Sequence, residues 1–236
     1  MDPLLISAAS GMKARMESLD MLANNIANSG TAGFKTDREF YSLYQQELPV
    51  IEKQYTDFSQ GMLTPTSNPL DLSLSGKGFF ALNAPTGTVY TRNGQFQISK
   101  SNQLQTVEGF TLRNALDQGK PITVDPTQAI VIDKGGVVSQ GGQDIAQIEI
   151  GGIDNPSQVL GKLGTSNFAF LNPAGKSGPA KDAEVGQGSL EQSNVPAADS
   201  AVRLVSVMRQ FEMLQKAITV GAEMNRQAIE QVAKVS

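Results

Sequence analysis

The 236-residue sequence contains no cysteine, no histidine and no tryptophan. Without cysteine the chain has no disulfide bonds and no thiolate metal ligands, and without histidine it lacks the commonest general base near neutral pH. Most catalytic and metal-binding sites therefore lack the side chains they need, so we expect no enzyme activity, no metal site and no cofactor. The chain is still long enough to bury one or two cores.

Blocks of like charge and long apolar runs are also missing. The net charge is -4, from 19 basic and 23 acidic residues, and neither sign is clustered, so no nucleic-acid footprint is present. No stretch approaches the ~18 apolar residues of a membrane-spanning helix, and the start, MDPLLISAAS, lacks the basic and apolar regions of a secretory signal peptide. We expect no nucleic-acid partner, no direct membrane insertion and no Sec-type export.

Both ends of the chain carry apolar residues at helical spacing. The main row of the N-terminal stripe has members seven residues apart: Leu5, Met12, Leu19 and Ile26. The adjoining rows contain Ala8, Ala9, Met16, Leu22 and Ala23. The C-terminal stripe occupies the last forty residues: Ala201, Leu204, Met208, Phe211, Leu214, Ile218, Ala222, Ile229 and Val232. Arg15 interrupts one N-terminal row, so a strict coiled-coil seam is not predicted.

The ends of these two helices have their own signals. Asn28 and Gly30 tolerate the left-handed backbone that often terminates a helix, so the first helix is predicted to stop near Asn28. Gly33 adds a second flexible joint. Pro196 is suited to starting the second helix, and Asp199 lies in its first turn.

The centre of the chain shows strand patterns instead. Residues 70–75 alternate leucine with polar residues, Gly76 and Gly78 bracket a predicted turn, and Asn93-Gly94 is a strong hairpin signal. Further short strands are predicted at residues 130–132, 137–138, 146–150 and 167–171. The predicted fold class is therefore α+β, with coiled-coil-like terminal helices flanking a central all-β domain.

The segment between the first helix and this domain is less regular. In TDREFYSLYQQEL, residues 36–48, Thr36 and Glu39 have capping-box spacing, which favours a short helix, although the aromatic residues would also suit a strand. Three prolines within residues 49–69 indicate an extended connector.

Two features of the sequence resemble parts of catalytic or binding sites. Gly175-Lys176-Ser177 resembles the end of a phosphate-binding loop, but Phe170 stands where that motif needs glycine and Gly178-Pro179 follows where it needs a helix. Residue types alone leave open a two-carboxylate hydrolase, but none of the acids sits in a motif that fixes a partner: Asp71, Asp125, Asp133, Asp144 and Asp154.

The terminal stripes have two interpretations. They could be ordinary core helices that pack on each other or on the β domain. Alternatively they could pack against other subunits, because they are rich in alanine and methionine and their other faces carry many neutral polar residues, which neighbouring chains can cover without burying charge.

Five ordered motifs resemble bacterial flagellar axial proteins of the basal-body rod family. NNIANSGTAGFK, residues 24–35, is similar to their N-terminal signature. NPLDLSLSGKGFF and YTRNGQFQI resemble two of their central motifs, LEQSNV resembles the motif before their C-terminal helix, and MRQFEMLQKAI resembles that helix. RQFEM and the short span between Lys35 and Asp71 are most like the proximal rod type, whereas the start resembles the distal type.

The resemblance implies a structural subunit of the rod within the periplasm. Its partners would be other copies of itself, other flagellar rod proteins and the flagellar type III export apparatus, which exports such proteins without a cleaved signal. It implies four regions: an axial helix and hinge at residues 1–35, a connector at 36–69, an outer β domain at 70–188 and a second axial helix at 189–236.

Assembly and hinge residues follow from that resemblance. The implied assembly residues lie on the two stripes: Leu5, Met12, Leu19, Ile26, Leu204, Met208, Phe211, Leu214 and Ile218. The implied signature and hinge residues are Asn24, Asn25, Ile26, Asn28, Gly30, Gly33, Phe34 and Lys35.

Overall fold

The computed structural model describes residues 3–43, 49–180 and 182–235. It divides into two compact units. Unit 1 comprises Met1–Ala27, Asp37–Tyr55 and Pro196–Ser236, and unit 2 comprises Asn28–Thr36 and Thr56–Val195. The prediction of two terminal helices around a β-rich centre, an α+β fold, is confirmed.

The described part of the chain forms the following helices and strands. The α-helices are α1 (Pro3–Ala27), α2 (Pro156–Val159) and α3 (Ala197–Val235), with a 3-10 turn at Ala115–Asp117. The strands of the first half are β1 (Asp37–Leu43), β2 (Pro49–Thr56), β3 (Leu63–Pro65), β4 (Leu72–Ser75), β5 (Phe79–Ala84), β6 (Gly87–Thr91), β7 (Gln97–Ile98), β8 (Leu104–Gln105) and β9 (Thr111–Leu112). The remaining strands are β10 (Ile130–Ile132), β11 (Val137–Gln140), β12 (Gln143–Gln147), β13 (Ile150–Gly152), β14 (Leu160–Leu163), β15 (Asn167–Phe170), β16 (Gly178–Pro179), β17 (Glu184–Gln187) and β18 (Ser189–Glu191).

Unit 1 is built on the long helices. The helix α1 has 25 residues and α3 has 39, and the two pack against each other. The strands β1 and β2 pair as a two-stranded sheet, and β1 lies against α1. Helix α1 ends at Ala27, in agreement with the predicted stop near Asn28. Among the described residues, no helix is long and apolar enough to span a membrane.

The favoured helix at residues 36–48 is wrong for residues 37–43, which form β1, and residues 44–48 lie outside the described part of the chain. Neither predicted capping residue caps a helix. The Thr36 backbone N–H donates to Asn194 Oδ1, 2.8 Å away, and the Glu39 carboxylate accepts from Ser18 Oγ at 2.8 Å. Partners distant in sequence therefore override the local capping signal.

Unit 2 contains the main core. Its largest sheet has the strand order β14-β15-β6-β5-β9-β8-β7, with β13 also pairing with β5 and with β16, and β10-β11-β12 form a separate three-stranded sheet. Strand β4 pairs with β17, and β3 pairs with β18. One hydrophobic cluster surrounds the fully buried Leu74, Phe80 and Leu82, and a second surrounds Phe168, where Phe58 contacts Phe79 and Phe168 edge to face.

Two glycine predictions are corrected. The Asn93-Gly94 pair does not join a hairpin, because β6 pairs with β5 and β15 and not with β7. Instead, the Gly94 carbonyl accepts from the Leu72 N–H at 2.9 Å, and a Cβ at Gly94 would overlap the Leu72 backbone. The left-handed backbone after α1 falls at Gly33, with φ 66°, and not at Asn28 or Gly30. Close packing against distant backbone decides both positions.

Candidate functional site

The buried face of α1 is a row of small and polar residues. Its members recur at helical spacing: Gly11, Ala14, Ser18, Leu22 and Asn25. A methyl group added at Gly11 would lie 3.5 Å from Leu214 Cδ1 of α3, an ordinary contact distance, so glycine allows the two helices to approach closely. Sequence reasoning placed the stripe one residue further along, because glycine, serine and asparagine carry little apolar signal.

The predicted N-terminal assembly residues border this row. Met12, Leu19 and Ile26 are half-buried, and the side chain of Leu5 lies outside the described ones. On α3, Leu204, Phe211, Leu214 and Ile218 are also half-buried on the side that includes the Gly11 contact, whereas Met208 is exposed. The assignment of these residues to assembly stays a prediction.

A second apolar row on α3 is exposed. We call it the outer face: Val202, Val205, Met213, Val220 and Met224. Their exposed fractions are 49–71%. The row is interrupted by Arg209 and Lys216, which weakens the periodic signal in the sequence and explains why sequence reasoning missed it. Scattered exposed apolar side chains are normal, but a whole row along a long helix indicates a surface that a partner covers.

Two polar residues of α1 hold the chain that follows. Asn25 Nδ2 donates to the Asp37 carbonyl at 2.8 Å, and the Asp37 N–H donates back to Asn25 Oδ1 at 3.0 Å. This two-point contact, together with the bond from Ser18 to Glu39, holds β1 against α1 within unit 1. The amide does so without placing a charge on the helix.

Apart from the buried Asn25, the first half of the predicted signature lies at or near the surface. Asn24 and Gly30 are exposed, Ile26 and Asn28 are half-buried, and a Cβ added at Gly30 would meet open space. The Asn28 carbonyl accepts from the Thr31 N–H at 3.1 Å, which closes the turn after α1. The second half of the signature behaves differently.

Gly33, Phe34 and Lys35 are buried in unit 2. A Cβ at Gly33 would overlap the backbone of Arg92 and Asn93. The Phe34 ring is fully buried, and Lys162 Nζ lies 4.1 Å above its centre while donating to the Lys35 carbonyl at 3.0 Å. This half of the signature is therefore an integral part of the β unit.

Three charged side chains from three distant segments meet in the interior of unit 2. We call them the ion cluster: Lys35, Arg92 and Glu191. Lys35 Nζ lies 2.6 Å from Glu191 Oε1, and Arg92 Nη1 lies 3.0 Å from Glu191 Oε2. Both Lys35 and Glu191 have side chains with at most 1% exposure. Each of the three lies in a different family-like motif.

Further hydrogen bonds anchor the ion cluster to the backbone. Glu191 Oε1 accepts from the Gly61 N–H at 2.9 Å, Lys35 Nζ donates to the Ser59 carbonyl at 2.7 Å, and Arg92 donates to the carbonyls of Leu74 and Gly76. The cluster holds two cations and one anion, so Glu191 pairs with both cations at once and the three side chains keep a net positive charge. Burial lowers the pKa of Lys35 and the pKa of Arg92 below their ordinary values, and Glu191 opposes both shifts.

The Asn194 side chain hydrogen-bonds its own segment of unit 2 to two others, at Thr36 and at Asp57 and Ser59. Its Oδ1 accepts from the Thr36 N–H at 2.8 Å, and its Nδ2 donates to the carbonyls of Asp57 at 2.8 Å and Ser59 at 3.0 Å. The chain leaves unit 2 after Thr36, enters it again at Thr56 and leaves it finally after Val195. One amide therefore fixes the backbone next to three of these crossings.

The residues weighed for chemistry do not converge. Ser177 Oγ accepts from the Tyr90 hydroxyl at 2.9 Å, and Gly178–Pro179 form β16, so no helix N-terminus follows the Gly-Lys-Ser sequence. Asp125 accepts from Thr127 within its own turn, and these hydrogen bonds lower its pKa. Across the described residues, no group of three or more acidic side chains could hold a metal ion.

Models of known protein families match three parts of the chain. Residues 5–35 match the family model "Flagella basal body rod protein", residues 73–140 match "Flagellar hook protein FlgE/F/G D1 domain", and residues 187–231 match "Flagellar basal body rod FlgEFG protein C-terminal". These ranges contain most of both terminal helices, and the ion cluster draws one residue from each of the three ranges.

Similar full-length proteins carry consistent names. The chain is 31% identical to the flagellar basal-body rod protein FlgF of Caulobacter vibrioides, over 100% of both chains. It is 30% identical to FlgF of Mesorhizobium japonicum over 90% of both, and 31% identical to FlgG of Caulobacter vibrioides over 93% of this chain and 95% of that one.

The chain therefore belongs to the flagellar basal-body rod protein family. Within that family it is of the FlgF type, since its match to a FlgF protein spans both sequences completely.

Proposed function

We propose that this chain is a structural subunit of the proximal part of the flagellar basal-body rod and that it joins the rod through α1 and α3. The observation that carries the proposal is the outer face, an exposed apolar row on a 39-residue helix that already uses another side to contact α1. Covering this row with neighbouring subunits would remove apolar side chains from water, the main favourable term in association.

The proposal assigns the chain to the rod within the periplasm, with other copies of itself and other rod proteins as partners. The flagellar type III export apparatus is the proposed route out of the cell, and we propose no enzymatic role. Residues 1–35 form the axial helix and hinge, 36–69 the connector, 70–188 the outer domain and 189–236 the second axial helix. Because residues 33–35 are buried in unit 2, we place any bending of the hinge at residues 28–30.

Replacing Met213 with glutamate tests the proposal. A charge on the outer face must be desolvated when a neighbour covers it, so a strain carrying only M213E should lose swimming and its basal bodies should lack the protein. The purified variant should keep the wild-type circular dichroism spectrum, because Met213 is 62% exposed.

The matched control is Met62→Glu. Met62 is also a largely exposed methionine, at 74%, but lies in unit 2. It should swim like the wild type. Normal incorporation of M213E into basal bodies, or wild-type basal bodies without this protein, would contradict the proposed function.

A further inference from the structure

A groove on α1 forms a second surface of unit 1, apart from the outer face of α3. Its residues are Ala9, Met12, Lys13, Met16, Glu17 and Asp20, with Ile218 contributed by α3. Met16 is 51% exposed, and the Lys13 side chain is 80% exposed. The groove thus combines apolar side chains with charges of both signs at fixed helical spacing, and these charges restrict which helix can occupy it.

We infer that the groove receives the outer face of α3 from a second copy of this chain, in one register that places Val220 of that copy on Met16. The inference rests on the proposed function, because it names the partner surface through which rod subunits join. Three features of α1 and α3 support this register: the direction of the helices, the apolar contacts and the charges.

The direction follows from the contact within one chain. The Gly33 N–H donates to the Glu191 carbonyl at 2.7 Å, so the segment that follows α1 and the segment that precedes α3 meet. Gly11 lies against Leu214, and this contact is about equally far, in residues, from the end of α1 and from the start of α3, so the two helices run antiparallel from that meeting point. In a head-to-tail assembly all copies point the same way along the axis. The α1 of one copy therefore meets the α3 of its neighbour in the same antiparallel sense.

Apolar contacts narrow the choice of register. On two antiparallel helices, a step of four residues forward on one matches a step of four residues backward on the other. With Met16 facing Val220, Met12 faces Met224, so both methionines of the groove meet apolar residues of the outer face. Methionine suits such a contact because its side chain adapts to irregular neighbours.

Charges then select this register. Counting from the same pair, Asp20 faces Lys216, and Lys13 faces Glu223. Both pairs are attractive, and all four residues are exposed in the single chain. Complementary charges at an interface fix register and suppress wrong pairings.

The main competing register is worse. Shifting α3 by seven residues brings Met213 onto the groove but sets Lys13 against Lys216, two like charges. It keeps one attraction, between Asp20 and Arg209. Registers that place the remaining outer-face residues on Met16 form no opposite-charge pair with Lys13 or Asp20.

Cysteine cross-linking tests the register directly, because the chain contains no cysteine of its own. Two copies with different epitope tags are expressed together, one carrying Met16→Cys and the other Val220→Cys, and basal bodies are isolated and oxidised. We expect a dimer carrying both tags. The matched control replaces Val220→Cys with Met213→Cys, whose Cα lies ~10 Å along the helix from that of residue 220, and should give no dimer.

Other outcomes overturn the inference. A dimer from the Met213→Cys control instead, no dimer from either pair, or a cross-linked product with the mass of another rod protein would each exclude the proposed register between copies. Failure to find either tagged copy in basal bodies would contradict the proposed function itself, so the two failures are distinguishable.

Charge reversal provides a second test that needs no cross-link. In a strain lacking the wild-type gene, Asp20→Lys and Lys216→Asp should each reduce the swimming halo, and the double variant should restore it. A double variant as impaired as the worse single variant would contradict the Asp20 to Lys216 pairing.

Discussion

Glu191→Gln should destabilise unit 2 more than Lys35→Met, although both remove one charge from the same ion cluster. Glutamine has the shape of glutamate but leaves two buried cations without an anion and turns an amide N–H toward a guanidinium that is itself a donor. Removing one partner of a buried ion pair costs ~3–5 kcal/mol. Lys35→Met leaves Arg92 and Glu191 as a neutral pair.

The smaller effect of Lys35→Met also follows from its hydrogen bonds. The Ser59 carbonyl that loses Lys35 keeps the Asn194 amide at 3.0 Å, and Glu191 Oε1 keeps the Gly61 N–H. The loss is therefore about that of one hydrogen bond to a charged group, ~1.5–3 kcal/mol.

Urea unfolding of the purified full-length variants, followed by circular dichroism, measures the difference. With a slope of about 2 kcal/mol per molar urea, Glu191→Gln should lower the midpoint by ~1.5–2.5 M. Equal midpoints for the two variants, or a more stable Glu191→Gln protein, would refute the claim that Glu191 stabilises both cations.

Three further predictions concern neighbouring residues. Gly33→Ala should lower the melting temperature, because the added Cβ would overlap the backbone of Arg92 and Asn93 and because φ of Gly33 is 66°. Gly30→Ala, whose Cβ would meet open space, should change stability by less than ~1 kcal/mol. Equal melting temperatures for the two variants would contradict this prediction. Asn194→Asp should destabilise by ~1–3 kcal/mol, since a carboxylate cannot donate to the Asp57 and Ser59 carbonyls; a urea midpoint equal to the wild type would contradict it. Burial lowers the pKa of Lys35, so the folded chain releases the Lys35 proton at a lower pH than the unfolded chain does. The unfolding free energy of the wild type relative to Lys35→Met should therefore rise from neutral pH toward pH 10.5. A decrease over that range would show that the pKa shift of Lys35 has the opposite sign.

The sequence predicts those elements whose signal is local. Helices α1 and α3 have sustained 3.6-residue periodicity, and strand β10 coincides with an apolar run bounded by turn residues. For the segment that forms β1, the sequence favours a helix over the alternative strand because Thr36 and Glu39 have capping-box spacing, but both residues bond to partners elsewhere in the chain, Asn194 and Ser18.

The ion cluster lies beyond local reasoning for a different reason. Lys35 and Glu191 are 156 residues apart, and Arg92 is 99 residues from Glu191. No spacing rule joins such positions, although each charge directly follows a buried residue in its own motif, namely Phe34, Thr91 and Leu190, which is an unusual place for an unpaired charge. The outer face was missed because Arg209 and Lys216 interrupt its apolar row.

The most direct test of assembly through the outer face is the accessibility of a single cysteine at position 213. Met213→Cys should react rapidly with a maleimide reagent in the purified monomer, where the side chain of Met213 is 62% exposed. In intact basal bodies the same cysteine should be protected, and dissociating the basal bodies should restore labelling. Equal labelling of the monomer and the intact basal body would show that no subunit covers the outer face, and would contradict the account.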